Sequence, residues 1–356
     1  ITRSTSCSRS KTASSTSWAE FTVSSRHPEE VLLSTGAGEG HLPCACEHYA
    51  GDTKKLEKTL AHRFSGPFSY DITIDFEDGA PVGQEAEAAQ ALVACLAASL
   101  KEWPAASSQH PGVGFRVHPP DHPSFQDDLR LLAQALALDL AYLTIPKVGD
   151  LASAKAAIAQ LAQTFSAEKR RPPKVQFFVE THEALRDVFD IAALPEVCHL
   201  TFGQMDFTSA HRGAIPAEAM ASPGQFEHPL LRRAKLEMVA ACHAAGKTPV
   251  HNPTLHYNDA AQTLADARMA KWFGFARMMS IHPAQIGPVL EGFAPAAPDV
   301  EEASAILLKA HAADWGPIAH EGKLHDRASY RYFWDVLKAA RAADCPIPTQ
   351  AQHTFF

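Results

Sequence analysis

Eight short apolar segments, each followed by an amphipathic segment, constrain the fold of this chain more than any other feature. The predicted strands are residues 31–34, 72–76, 113–117, 142–145, 175–179, 199–202, 248–250 and 279–281. Between them apolar residues recur at helical spacing, as at Leu92, Leu96 and Leu100. This alternation over about 250 residues predicts an α/β fold, a (β/α)8 TIM barrel. A doubly wound open sheet has the same rhythm and stays an alternative, because a sequence pattern does not show closure.

The regions outside this pattern predict two flanking segments. Residues 1–28 are rich in Ser, Thr and Arg, so we expect them to be disordered, as in a transit peptide or an upstream segment. The barrel is assigned to residues 29–295. Two prolines, Pro295 and Pro298, then interrupt the pattern, and residues 296–356 predict a small helical C-terminal appendage.

Composition excludes several classes of protein. The net charge of −8 argues against a nucleic-acid-binding protein, which needs a basic surface. No apolar stretch approaches the roughly 20 residues that span a bilayer. The seven cysteines form no CxxC pair, which favours free thiols in a reducing compartment and hence a cytoplasmic location.

Two of the predicted strands end on carboxylates. Glu180 follows the apolar residues 175–179, and Asp206 follows residues 200–202 closely. Parallel strands of a barrel direct their carboxyl ends to one face, so these two side chains form a natural seat for a hard divalent cation such as Mg²⁺. Each residue alone would also fit as the cap of the helix that follows it.

Most of the remaining chemically active side chains also follow predicted strands. They are Asp75, Glu77, Asp78, Arg116, His118, Lys147, His251, Asn252 and His282. Because the active site of a TIM barrel lies at the carboxyl ends of its strands, this clustering predicts an enzyme.

Individual members of this set have alternative interpretations. Arg116 suits a bidentate clamp on a substrate carboxylate, or an ion pair with a neighbouring acid. Lys147 suits an ion pair with the acids of the rim better than a Schiff base. His282, before Pro283, is expected to order a loop by hydrogen bonding. The glycines Gly36, Gly38 and Gly40 are weak evidence for a phosphate-binding turn.

These residues resemble the motifs of one family. Seven stretches are similar, in order along the chain, to motifs of this family. Asp75–Ala80 is similar to Asp-Leu-Glu-Asp-Ala, Phe115–Pro119 to Val-Arg-Ile-Asn-Pro, Ile145–Val148 to Leu-Pro-Lys-Val and Val179–Thr181 to Ile-Glu-Thr. Phe202–Asp206 is similar to Phe-Gly-x-x-Asp, Ile281–Ile286 to Ile-His-Pro-x-Gln-Ile and Gly322–Asp326 to Gly-Lys-Met-Ile-Asp. The chain therefore resembles the citrate lyase β-subunit-like branch of the HpcH/HpaI aldolase superfamily, which includes malyl-CoA and citramalyl-CoA lyases.

The resemblance implies a set of site residues. It implies a Mg²⁺ ion, with Mn²⁺ as a substitute, bound by Glu180 and Asp206. It implies substrate binding by Arg116, Asp78 and the backbone of Gly203 and Gln204, and catalytic roles for Glu77 and Asp326. In relatives the residue matching Asp326 reaches the site of a neighbouring subunit, which implies a homo-oligomer, a trimer or hexamer.

The implied activity is cleavage of a malyl-CoA- or citramalyl-CoA-type thioester into acetyl-CoA and a 2-oxo acid, without a redox cofactor. The chain departs from the family in having no Lys or Arg in residues 81–91, where relatives carry both. Alternatives are therefore a thioesterase, an aldolase acting on a hydroxy acid without CoA, or a non-catalytic metabolite-binding barrel.

Overall fold

The computed structural model describes residues 26–32, 44–65, 69–79, 82–101, 112–135 and 138–356. Eight parallel strands of these residues close into a barrel. The strands are β1 (Cys46–Ala50), β2 (Asp71–Asp75), β3 (Val113–Arg116), β4 (Tyr142–Ile145), β5 (Val175–Val179), β6 (Val197–Phe202), β7 (Thr248–His251) and β8 (Arg277–Ser280). Each strand pairs with the next along the chain, and β8 pairs with β1. The predicted TIM barrel is confirmed, and the open sheet is excluded.

Helices follow the strands of the barrel. They are α2 (Thr53–Ser65), α3 (Glu85–Lys101), α4 (Phe125–Ala135), α5 (Leu151–Ala167), α6 (His182–Arg186), α7 (Val188–Ala192), α8 (Gln204–Ala210), α9 (Gly224–Glu227), α10 (Pro229–Ala245), α11 (Ala260–Trp272) and α12 (Ile286–Phe293), with 3₁₀ helices at Ala217–Met220 and Pro283–Gln285. Two helix boundaries agree with their sequence signals. Asp150 caps α5 in a capping box, and Gly246 ends α10 with a left-handed φ of 65°.

The first strand lies elsewhere than predicted. Val31 and Leu32 end a short helix, α1 (Pro28–Leu32), and residues 33–34 lie outside the described residues. The first strand is instead β1, whose Cys-Glu-His-Tyr-Ala sequence lacks an apolar run. The strand prediction was wrong here because Glu47, His48 and Tyr49 are buried polar or amphipathic residues, so no apolar run marks β1 in the sequence.

The barrel interior contains three charged residues, Arg277, Glu47 and Asp71. Arg277 on β8 has a fully buried side chain, with its Nε 3.3 Å from Glu47 Oε2 and its Nη1 2.5 Å from Asp71 Oδ2. Its Nη2 donates to the Tyr142 hydroxyl at 2.9 Å, and Gln176 donates to Glu47 at 3.0 Å. Apolar residues instead fill the layer between strands and helices, including Ile74, Phe115 and Leu200. The charges are paired, as burial requires.

A second compact unit contains residues 298–337 and 347–356 together with residues 26–32. The elements of this part of the chain are α13 (Ala297–Ala312), the antiparallel hairpin of β9 (Ile318–His320) and β10 (Lys323–His325), α14 (Arg327–Ala342) and α15 (Thr349–Phe355). Trp315 Nε1 donates to the Arg26 carbonyl at 2.8 Å, and His27 Nε2 lies 3.0 Å from the Phe355 carbonyl. The C-terminal helices agree with the predicted appendage.

Two sequence interpretations fall outside the described part of the chain. They are the disorder predicted for residues 1–28, of which residues 1–25 are not described, and the glycine-rich turn at Gly36, Gly38 and Gly40. Residues 26–28 are described: Arg26 and His27 make the contacts given above, and Pro28 begins α1. Among the described helices, none has the length and apolar character that crossing a bilayer demands.

Candidate active site

The ends of β2 and β3 bring four charged groups together. Asp75 and Arg116 are register partners on these strands, and Asp75 accepts from Arg116 Nε at 2.7 Å and Nη2 at 2.6 Å. Arg116 Nη1 lies 2.7 Å from Glu77 Oε2, and Nη2 also donates to Asp78 Oδ2 at 2.7 Å. The predicted ion pairing of Arg116 is therefore confirmed, and its role as a substrate clamp stays a prediction.

The Arg116 guanidinium is fixed by rings as well as by acids. Its Cζ lies 5.5 Å from the centre of the Tyr49 ring and 5.7 Å from that of Phe178. The side chains of Asp75 and Glu77 are nearly buried, whereas the Asp78 side chain is 70% exposed. Asp78 is consequently the Arg116 partner most accessible from solvent, and its substrate-binding role stays a prediction.

Lys147 connects the acids of β2 and β5 through two different groups. Its Nζ lies 2.8 Å from Glu77 Oε1, while its backbone N–H donates to Glu180 Oε1 at 2.5 Å. The second bond depends on a left-handed backbone, with φ of 52° at Lys147. The hydrogen bond to Glu77 raises the pKa of Lys147, and burial opposes this only in part. An amine with a raised pKa is unsuited to Schiff-base chemistry, so the ion-pair interpretation is the better one.

Glu180 and Asp206 lie at the adjoining ends of β5 and β6. Glu180 is buried directly after β5, and Asp206 is exposed in the first turn of α8. Burial raises the pKa of Glu180 to about 8, and the Asp206 and Glu77 carboxylates contribute to this rise, although the Lys147 N–H and Arg116 oppose it. The charged form of Glu180 therefore lacks a sufficient positive partner within the protein.

This environment fits a hard divalent cation. Carboxylate oxygens are the ligands that Mg²⁺ prefers, and the ion commonly takes one or two carboxylates and completes its shell with water or substrate oxygens. Among the described residues no cluster of three or more His, Cys, Asp or Glu forms a full protein cage for a metal. Glu180 and Asp206 are thus the residues that would hold the ion, with one face left for substrate.

The residues Gly203 and Gln204 supply fewer hydrogen-bond donors than the resemblance implies. Gly203 N–H donates to the Val179 carbonyl at 3.2 Å, and the Gln204 side chain donates to the Met220 carbonyl at 2.5 Å. The Gln204 backbone N–H lies at the start of α8, where helix N–H groups have no partner inside the helix. Of the two backbone groups, that of Gln204 is therefore the one available to a carboxylate.

A glycine is required at position 203 by the packing of Glu180. A Cβ atom built on Gly203 would lie 2.6 Å from Glu180 Cβ and would also collide with Glu180 Oε2. We expect Gly203→Ala to displace the Glu180 carboxylate and to weaken Mg²⁺ binding roughly 10- to 100-fold, as changes beside a metal ligand do. Isothermal titration of the purified variant with Mg²⁺ measures this change. Gly149→Ala, at a glycine where an added Cβ atom would meet its nearest neighbour, Ser153 Oγ, at 3.7 Å, is the comparison for general backbone effects.

Asp326 is not among the residues that the barrel strands bring together. It belongs to the second unit, immediately before α14, where its Oδ1 accepts from the Ala328 N–H at 2.9 Å. Its carboxylate is exposed. The catalytic role that the resemblance implies for Asp326 stays a prediction.

Three other residues from the strand ends have structural contacts. His251 Nε2 accepts from the buried Lys235 amine at 2.8 Å, because its Nδ1 donates to the Asn252 carbonyl at 2.7 Å. The Asn252 side chain donates to Gln225 at 3.0 Å. His282 Nδ1 accepts from the Ala284 N–H at 3.2 Å, which confirms its expected role in ordering a loop.

Asp75 had no role of its own in the predictions from the sequence, although Asp75 is the bidentate partner of Arg116. Its position at the end of β2 was the available signal.

A closed parallel barrel that collects carboxylates, an arginine and a lysine at its strand ends defines an α/β-barrel enzyme. The model of the HpcH/HpaI aldolase/citrate lyase family matches residues 59–283. The chain belongs to this family, whose enzymes are carbon–carbon lyases, and the predicted family and enzyme class are confirmed.

One solved structure supports the family assignment, and two more distant ones share the fold. A citrate lyase from Burkholderia xenovorans LB400 is 45% identical, with a TM-score of 0.78, over 93% of this chain and 100% of that chain. CitE from Mycobacterium tuberculosis, in complex with magnesium, acetoacetate and coenzyme A, is 20% identical, with a TM-score of 0.65, over 84% and 98% of the two chains. A citrate lyase β subunit from M. tuberculosis, complexed with oxaloacetate and magnesium, is 20% identical, with a TM-score of 0.55, over 71% and 98%. A comparison with curated proteins gives no match.

Proposed function

We propose that this protein is a Mg²⁺-dependent lyase that cleaves a malyl-CoA- or citramalyl-CoA-type thioester into acetyl-CoA and a 2-oxo acid. The observation that carries the proposal is the buried Glu180 carboxylate, whose pKa is raised to about 8 beside Asp206 and Glu77. A buried acid among other acids favours a bound cation, which would remove the cost of its charge. Mycobacterial relatives on the same fold bind magnesium with acetoacetate and coenzyme A, or with oxaloacetate.

The residues divide the reaction between them. When bound, Mg²⁺ would polarise the substrate hydroxyl that becomes the ketone of the 2-oxo acid. Arg116 orients the carboxylate next to that hydroxyl, using the Nη2 donor that Asp78 otherwise occupies. Gln204 N–H adds a donor for the same carboxylate. Mn²⁺ would serve in place of Mg²⁺, because it accepts the same oxygen ligands.

Proton transfers complete the cleavage. Glu77, whose pKa is raised by burial despite Arg116 and Lys147, accepts the hydroxyl proton as the carbon–carbon bond breaks. The electrons of that bond form the enolate of the acetyl thioester, and Asp326 of a neighbouring subunit returns a proton to its carbon. This assignment requires a homo-oligomer, and we propose a trimer or a hexamer in the cytoplasm.

One observation favours a second candidate, an aldolase that acts on a hydroxy acid without CoA. The residues after the acidic β2 loop, 81–91, contain no Lys or Arg that could pair with CoA phosphates. The acids Glu77 and Asp78 also give this edge of the site a negative character. The metal and 2-oxo-acid half of the site is the same for both candidates.

Incubation of the purified protein with malyl-CoA or citramalyl-CoA, in Mg²⁺ or in chelator, separates the candidates. We expect Mg²⁺-dependent release of acetyl-CoA with glyoxylate or pyruvate. Free CoA without acetyl-CoA would instead identify a thioesterase. No turnover of either thioester, together with Mg²⁺-dependent cleavage of a hydroxy acid lacking CoA, would replace the lyase proposal by the aldolase.

A further inference from the structure

A histidine–aspartate pair lies at the end of β3, two residues beyond Arg116. His118 Nδ1 is 2.7 Å from Asp128 Oδ2, and the same oxygen accepts the His118 backbone N–H at 2.9 Å. Both side chains are buried. The His118 ring stacks on His122, with centroids 4.5 Å apart and planes 16° apart. The carboxylate therefore fixes both the position and the orientation of the imidazole.

His118 lies on the substrate side of the barrel mouth. The pairing of β3 with β4 continues past Arg116, since Val117 N–H donates to the Thr144 carbonyl at 3.1 Å, and Val117 packs in the apolar layer. Side chains alternate along an extended chain, so His118 shares the face of Arg116. Consistent with this, the Glu77 carboxylate that contacts Arg116 also acts on the charge of His118.

A structural role accounts for the Nδ1 atom of the His118 ring, which contacts Asp128, but not for its Nε2 atom. The Asp128 bond to the backbone N–H would hold the turn after β3 without any ring at position 118. The Nε2 atom is buried and meets no hydrogen-bond partner among the described residues. Buried polar atoms without a partner are rare in native structures, and a ligand bound at the atom is one of the ways in which such an atom is satisfied.

The surroundings of His118 favour its charged form. Burial alone would lower its pKa, but the hydrogen bond and the charge of Asp128, together with Glu77 and Glu85, raise the pKa above 6.5. The groups that face the ring are Asp128 from α4, His122 from the loop before it, Glu77 from the loop after β2, and Glu85 from α3. Three of these four groups are acids, which stabilise an imidazolium.

We propose that His118, oriented by Asp128, is a second anion-recognition residue beside Arg116, and that its Nε2–H donates to an anionic oxygen of the substrate. This inference rests on the proposed function. Two sources of that oxygen fit the chemistry: the carboxylate of the 2-oxo acid, and the enolate oxygen of the acyl half. The family motif Val-Arg-Ile-Asn-Pro has Asn at the position that His118 occupies in this chain.

The family motif also provides the variant that tests the proposal. His118→Asn keeps a short polar side chain without a charge. Asp128→Asn removes the carboxylate that stabilises the charged imidazolium of His118. One calorimetry experiment measures the affinity for pyruvate, glyoxylate or oxaloacetate in the presence of Mg²⁺, from pH 6 to 9. A second calorimetry experiment measures the affinity for acetyl-CoA. Thermal melting shows that each variant folds.

We expect about tenfold weaker binding of one of these ligands in His118→Asn, as for the loss of a charge-assisted hydrogen bond. In the wild type that affinity falls as the pH rises through the pKa of His118, because the imidazolium is lost. The fall disappears in His118→Asn and moves to lower pH in Asp128→Asn. A response confined to the 2-oxo acids identifies the carboxylate, and one confined to acetyl-CoA identifies the acyl oxygen.

Equal affinities and equal pH profiles in wild type and His118→Asn, with binding intact, would overturn this inference and leave the proposed function standing. Absence of any binding by the wild type would overturn both. Imidazole NMR of the wild type provides a measurement that does not depend on the folding of a variant. We expect one histidine with a pKa above 6.5 whose Cε1–H resonance moves on ligand addition, and no such histidine would contradict the proposal.

Discussion

Glu180→Gln is expected to lower the lyase activity at least roughly 10³-fold, which corresponds to about 4 kcal/mol of lost transition-state stabilisation. The amide keeps the size of the side chain and its oxygen for the Lys147 N–H. It removes the negative charge that would bind Mg²⁺ beside Asp206. Steady-state rates with malyl-CoA or citramalyl-CoA at saturating Mg²⁺ measure the loss.

The same variant is expected to stabilise the metal-free protein. Folding raises the pKa of Glu180 from 4.5 to about 8, so between these pH values the folded protein holds a proton that the unfolded chain has released. The stability of the metal-free wild type therefore falls as the pH rises from about 4.5 to 8, by at most roughly 1.4 kcal/mol per pH unit. Glu180→Gln lacks this group, and its advantage should grow over that range. Urea unfolding in chelator at several pH values measures it.

Glu183→Gln is the matched control for this prediction. Glu183 is exposed on α6, three residues further along the chain. The Glu183→Gln substitution should therefore change neither the reaction rate nor the dependence of stability on pH. Mg²⁺ should raise the melting temperature of wild type and Glu183→Gln but not that of Glu180→Gln. Equal Mg²⁺ stabilisation of all three proteins would place the metal away from Glu180.

The sequence predicted most of the barrel because the layer between strands and helices is apolar. The strands from β2 to β6 contain the Val, Ile, Leu and Phe residues that fill this layer, and β8 contributes Met278. The first strand was not found because Glu47, His48 and Tyr49 are polar or amphipathic residues buried in it. Their burial depends on partners such as Arg277 and Gln176, which lie 129 residues or more away in the sequence.

The site was predictable as a set of residues, since strand ends of a barrel share one face, but its internal connections were not. The left-handed backbone of Lys147, which directs an N–H to Glu180, has no sequence signal because lysine gives no preference for that conformation. The pair of His118 with Asp128 likewise joins a strand end to a helix start ten residues later. Such contacts arise from the packing of α4 on the barrel, which periodicity alone does not specify.

Arg116→Met is expected to destabilise the fold by about 3–5 kcal/mol and to abolish substrate binding. The arginine is the cation shared by Asp75 and Glu77, whose side chains are only 9% and 7% exposed. Methionine fills much of the space but leaves Asp75 without its bidentate partner. Glu77 keeps its ion pair with Lys147. Urea unfolding measures the free energy, and calorimetry with Mg²⁺ and a 2-oxo acid measures binding.

Two further variants separate the loss of charge pairing from the loss of a substrate contact. Arg116→Met combined with Asp75→Asn removes the unpaired buried charge, so it should recover a large part of the stability but none of the binding. Arg130→Met is the surface control: Arg130 pairs with Asp127 where both side chains are more than half exposed, and its loss should cost less than about 1 kcal/mol. If Arg116→Met and Arg130→Met unfold at the same urea concentration, the buried acids are stabilised by something other than Arg116. If the double variant regains binding as well as stability, the substrate carboxylate is held elsewhere, and Arg116 is an organiser of the β2–β3 acids alone.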